Sequence, residues 1–310
     1  MEGNQRMSKE KLGILGIMKE AVKITCKNPK FIFTCLTSLP LLCSLFMYES
    51  LFMQTLAEAA KVLHKEGAES YSDCLLCLSR KGVMVVDRLI GEVSHNLLVL
   101  ILSHLGIIQL CDFFNTVATV NSASVIHAGN ETLTLKEMLT KHLMDSRLKG
   151  PLITSIYTLV LTSMLSLGLL SLLVYIYILL RVGSLLVLVF LVMFVALLRL
   201  YLEWGAVWEM GTVISILEDK EGDVALVVAS YLSRENRGNG ILLMVACLIW
   251  RLGLRIVCLF IAMDGGGSKI LILVVQISLV ALANIIKWVS FVVYYVDCKQ
   301  RRLEKDVSSV

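Results

Sequence analysis

The chain has 310 residues, 57% of them hydrophobic and 17% charged, with a formal net charge of +4 at pH 7 and a mean hydropathy of +0.78. Soluble domains carry about 45–50% apolar and about 25% charged residues, so this composition excludes an ordinary soluble domain and points to an all-α polytopic membrane protein. The basic residues flank apolar runs instead of clustering with stacking aromatics, which leaves no footprint for nucleic acid.

In chain order the first element precedes the first apolar run. The stretch EKLGILGIMKEAVKITCKNP sets Leu15, Met18 and Val22 on one helical face and Lys19, Lys23 and Lys27 on another, and Asn28-Pro29 ends the pattern. Residues 1–30 are read as a cytosolic amphipathic helix lying on the inner membrane surface. A cleavable signal peptide is not expected, because the apolar run is short, charges interrupt it, and no small-residue cleavage site follows.

The membrane domain is assigned to residues 31–297. A bilayer core about 30 Å thick needs roughly 20 apolar residues per helix, and long unbroken runs select helices over barrel strands. The spacing predicts six spans at about 31–51, 97–120, 152–178, 184–204, 241–263 and 270–296. Pro40 lies inside the first. The loop after it holds Cys74-Leu-Leu-Cys77, with His64 and His95 nearby, a pattern open to a local disulfide but weak as a metal site, so no metal is assigned. The second span contains His104, which a neighbouring helix can satisfy, and Asp112. Beyond it stand the sequon Asn130-Glu-Thr132 and a capping-box pattern at Thr134-Leu-Lys-Glu137. Arg181-Val-Gly-Ser184 divides the block from Leu152 to Leu200 into the third and fourth spans.

After the fourth span the stretch RLYLEWGAVWEMGTVISILED brings charge back. Arg199 and Glu203, four apart on one helical face, are expected to form a local ion pair, with Glu209 and Ser215 in the inner interface. Gly222 to Leu232 reads as a short amphipathic return helix. Asp264-Gly-Gly-Gly267 closes the fifth span, and its glycines lack the strand-to-helix frame of a phosphate loop. A basic tail, 298–310, ends the chain, with Cys298 beside Lys299, Arg301 and Arg302 placed as a candidate S-palmitoylation site.

Charge along the loops sets the orientation. With both termini inside, the inner segments carry 19 Lys and Arg and the outer segments 7, which predicts a cytosolic N-terminus and a cytosolic C-terminus. Away from the span ends four charges remain: Asp112 and Arg251 near mid-depth, Lys287 closer to the cytosol, and Arg255 closer to the outside. An uncompensated mid-bilayer charge costs from about 2.5 to more than 10 kcal/mol, so the four form a candidate intramembrane polar site, with Asp112 and Arg251 expected to pair.

The blocks LGILGIMKEAVKI, TLTLKEM, VWEMGTVISILED, DVALVVASYLSRENRGNG and FVVYYVDCK, in this order, resemble a plant family of six-helix integral membrane proteins. Members typically read V-W-x-x-x-x-V-V-S-V-L-E, then a glycine, an Ala-Leu and a Ser; Val207, Trp208, Val213, Ser215, Leu217 and Glu218 match, as do Gly222, Ala225, Leu226 and Ser230. The likeness spans nearly the whole chain and lies in the order of blocks more than in a sharp motif. It brings no activity with it. In layout alone the chain is also similar to the membrane domain of some glycerophosphodiester phosphodiesterases.

No GxSxG, HExxH or strand-borne GxGxxG occurs, and the histidines at 64, 95, 104, 127 and 142 are not spaced to serve a nucleophile. The expected function is a non-enzymatic membrane scaffold, lipid-interacting or accessory component of the endoplasmic reticulum, wider secretory pathway or plasma membrane. Its partners would be membrane lipids and other membrane proteins, without a cofactor. The alternative is a transporter or channel for a small anion or lipid headgroup, using Arg251, Arg255 and Lys287; no internal repeat between the two halves supports it.

Overall fold

The computed structural model describes residues 13–27, 109–128, 148–182, 185–218, 220–263 and 269–308, with isolated positions at 50, 51, 55, 91, 99 and 106. The described residues form seven helices and no strand: α1 Ile14–Lys27, α2 Gln109–His127, α3 Lys149–Val182, α4 Leu186–Leu217, α5 Gly222–Ser233, α6 Arg237–Met263 and α7 Lys269–Ser308. Four stretches, in α3, α4, α6 and α7, are long and apolar enough to cross a membrane. Residues 31–49 of the first expected span, together with Cys74, Cys77, His64, His95, His104, the sequon and the capping box, lie outside the described residues.

α3 and α4 make a long antiparallel hairpin. Tyr175 and Phe190 pack near its tip with ring centroids 5.8 Å apart, and Gly168 lies close to the Leu197 side chain halfway down. At a rise of about 1.5 Å per residue both helices exceed the roughly 30 Å of a hydrocarbon core. They differ along their length. None of the most apolar window of α3 is buried, and Leu188, Val189, Val192 and Val195 on the upper part of α4 are exposed. A helix apolar all round and uncovered by protein belongs in lipid. From Gly205 to Ser215 the same helix passes into the core.

The chain then reverses. Gly222 adopts φ +52°, a left-handed conformation that glycine tolerates without a Cβ penalty, and its N–H donates to Thr154 Oγ1 of α3 at 2.9 Å. The reversal lays α5 back along α4 and against α3. α6 crosses α4 where Gly240 meets Ala206 and Tyr294; a Cβ there would stand 2.8 Å from the Tyr294 hydroxyl, so any larger residue would force a shift.

α7 is the central helix. α1, α2, α4, α5 and α6 all pack on it, and every residue from Trp288 to Tyr295 is buried, as expected for a helix enclosed on all sides. It remains helical through Ser308. The basic tail is therefore the end of the central helix and not a separate segment.

α1 departs from expectation in which face it uses. Ile17, Ala21 and Ile24 join the core against α7, while Leu15, Lys19, Val22 and Lys23 stay exposed. The helix carries two apolar stripes, and the one containing small Ala21, free of lysine, permits close docking. The other presents leucine, valine and lysine together on the outside.

Candidate functional site

The central helix carries a ladder of polar side chains to its neighbours. Asn284 donates from Nδ2 to Asp112 Oδ1 of α2 at 2.8 Å. One turn on, Lys287 Nζ donates to Glu209 Oε1 of α4 at 2.9 Å, with side chains 12% and 24% exposed. The same ammonium lies 4.1 Å from the Trp288 ring centroid, and Trp288 Nε1 is buried without a hydrogen-bond partner. Hydrogen bonds to charged groups contribute about 1.5–3 kcal/mol each, and losing one partner of a buried pair costs more than the pair adds.

Two of the charges expected to converge do not. Asp112 takes the amide of Asn284, and Arg251 stands exposed on α6, with no ion pair joining the two. The reason is topological: α2 packs on α7 and α4, so α7 supplies the facing polar group. Lys287 is neutralised by Glu209. Arg255 is partly buried on α6, one turn beyond Arg251. Glu203 bonds across helices to Arg237 at 2.8 Å, and the expected pair with Arg199 is not among the ion pairs of the described residues.

The lower end of α7 is fastened to both turns that flank α5. Glu218, at the end of α4, accepts from Tyr295 and Lys299 and pairs with Lys220 at 3.0 Å. Burial alone would raise its carboxyl, but these hydrogen bonds outweigh burial and hold it down at about 2. In the next turn Asn236 donates to Asp297 at 3.0 Å, accepts from the Tyr294 hydroxyl through its carbonyl at 3.0 Å, and reaches Cys298 Sγ at 4.0 Å. Arg301 closes on Asp297 at 2.8 Å. Glu235 receives Arg302 and Lys305, each at 2.8 Å, and the Lys305 hydrogen bond chiefly holds its carboxyl below the ordinary range. Cys298, read from its basic neighbours as a lipidation site, is 2% exposed within the core. Those neighbours point into ion pairs, and the thiol lacks the surface position that acylation needs.

Beside this junction a cleft of about 880 Å³ opens between α3, α4 and α5. Trp204, Trp208, Leu226 and Tyr231 form much of its wall, and Arg234 and Arg237 stand at its rim. The two indole rings are 6.5 Å apart between centroids. Volumes of about 300–1,000 Å³, apolar walls and a few polar groups are the usual marks of a small-molecule site. Among the described residues no group of three or more His, Cys, Asp or Glu gathers as a metal site.

Sequence reasoning missed Asn236, Arg237, Asp297 and the cleft. Trp204 and Trp208 at i, i+4 on one helical face were the available signal; Asn236 lay hidden in a polar turn whose partner is 61 residues away. Trp208, Glu218, Gly222 and Tyr295 converge on this junction and its cleft.

No curated protein and no solved structure matches the chain. A family model described as a domain of unknown function, DUF8558, matches residues 1–307 and so takes in every described helix almost to its end. On that full-length match, the chain belongs to the DUF8558 family.

Proposed function

We propose that this protein is a non-enzymatic, multi-pass membrane component that holds lipid, and through lipid or directly neighbouring membrane proteins, against a fixed helical frame. The observation that carries this reading is the change of character within α4, whose upper half exposes apolar side chains and whose lower half is locked into a charge-stapled core. A frame of this kind presents a broad apolar flank. The likeness of the VWEMGTVISILED block to plant six-helix membrane proteins supports the same reading. Six spans, both termini cytosolic, and residence in the endoplasmic reticulum or plasma membrane are part of the proposal, resting on the apolar runs and the loop charges. The anion-conducting alternative loses support because Lys287 is matched by Glu209 and Arg251 is exposed on α6.

Reconstitution of the full chain tests the function. The purified protein should retain phospholipid through delipidating washes and produce no chloride or phosphate flux in proteoliposomes. Flux dependent on Lys287 or Arg251 would replace this reading with the transporter. For the orientation, Asn130 should carry no glycan in cells; a glycan lost in Asn130→Gln would invert the topology.

A further inference from the structure

We infer that the cleft between α3, α4 and α5 seats one anionic phospholipid, its phosphate on Arg234 and Arg237 and an acyl chain along Trp204, Trp208 and Leu226. The inference rests on the lipid-holding reading and specifies its site.

Charge complementarity selects the headgroup. Arg234 follows the last residue of α5, lines the cleft, is exposed, and has no carboxylate partner among the ion pairs of the described residues. Arg237 gives one nitrogen to Glu203, and a guanidinium has five N–H donors in a fixed fork, so donors remain for a second oxyanion. Counting Arg234, Arg237 and Glu203 together leaves one positive charge at the rim. A phosphate diester of single negative charge balances it, and arginine matches phosphate oxygens bidentately.

The walls select a lipid over a soluble phosphate. Trp204, Val227 and Tyr231 are substantially exposed along the cleft, an apolar surface that water would not stabilise. Indole and phenol rings with one apolar and one polar edge belong at the depth where headgroup meets chain. The opening lies along the same hairpin whose upper flanks are uncovered and apolar, so a chain can enter sideways from a leaflet. On the other side Arg302, 4.0 Å from the Tyr231 ring, holds that ring through its pairing with Glu235.

The test uses the full-length, delipidated protein in neutral detergent, with phosphatidylglycerol and phosphatidylcholine brominated on the acyl chains as probes and quenching of tryptophan emission as readout. Phosphatidylglycerol should quench saturably and phosphatidylcholine weakly. Arg234→Gln with Arg237→Gln should weaken phosphatidylglycerol binding by about tenfold or more, the scale of lost charge-assisted hydrogen bonds, while melting stays cooperative. Trp204→Phe should reduce the quenching amplitude, because it removes one of the two indoles that face the acyl chain. Should the double variant fail to fold, Arg234→Gln alone, which breaks no ion pair, decides by the same shift. Equal binding of both lipids, an unchanged double variant, or competition by free glycerol phosphate at the lipid's own concentration would each overturn the site. A protein that binds neither lipid would overturn the lipid-holding reading as well, whereas lipid retention indifferent to the arginines would overturn the site alone.

Discussion

Lys287 on α7 and Glu209 on α4 meet at 2.9 Å with most of both side chains withdrawn from the surface. Attraction within such a pair roughly offsets the cost of removing two charges from water, but either charge left alone is penalised in full. Lys287→Gln and Glu209→Gln are each expected to lower stability by about 3 kcal/mol, the low end of the range for breaking a buried pair. Replacing both with Met should recover most of the loss. Melting of the four proteins in one detergent checks this, and losses that simply add would show that the two side chains act independently.

Glu218 gives the junction at the lower end of α7 a pH dependence of definite sign. Its carboxyl falls from an ordinary 4.5 to about 2 in the folded protein, so the unfolded chain binds the proton more tightly. The stabilisation is fully present above about pH 5 and is lost as pH falls through 4.5 toward 2. Glu218→Gln should be less stable than the parent at pH 7, with the difference shrinking through that acid window. A difference constant from pH 7 to pH 3 would show that Tyr295, Lys299 and Lys220 do not hold the carboxylate.

Gly240 is tested by the smallest possible addition. A Cβ would stand 2.8 Å from the Tyr294 hydroxyl and 3.3 Å from the Ala206 Cβ, so Gly240→Ala is expected to cost about 1–3 kcal/mol through overpacking. Tyr294→Phe removes the atom in the way, along with its bond to the Asn236 carbonyl. The double variant should lose less than the sum of the two single losses, as measured by thermal melting.

Thiol chemistry reads the packing of α7 directly. Cys26 is exposed and Cys298 buried, so maleimide should modify Cys26 in the folded detergent-solubilised protein and reach Cys298 only after denaturation. Rapid modification of Cys298 in the native protein would mean that the end of α7 is undocked.

What could be read in advance follows the range of the interactions. The α3–α4 break was legible because Arg181-Val-Gly-Ser184 is a local signal, and the helix break falls there, between Val182 and Leu186. The return helix was legible for the same reason, in Gly222 and the apolar pattern after it. Glu209 reads as interfacial because the fourth span is complete by about Glu203, and nothing near it announces a lysine 78 positions away. Depth alone pairs Asp112 with Arg251, and depth does not say which helix faces which; the structure gives it Asn284. Cys298 looked superficial because lysine and arginine surround it in sequence, while in space those side chains turn toward Glu218, Asp297 and Glu235.

The central position of α7 also sets a timetable. It follows the six other described helices in the chain, yet it brings Asn284 to Asp112, Lys287 to Glu209 and Lys299 to Glu218. Until it emerges during synthesis, those three carboxylates wait in the membrane or at its edge without their final partners. A chain stalled before Lys269 would therefore lack the α7 partners of all three, and of the three only Glu218 would keep another ion-pair partner among the described residues, Lys220.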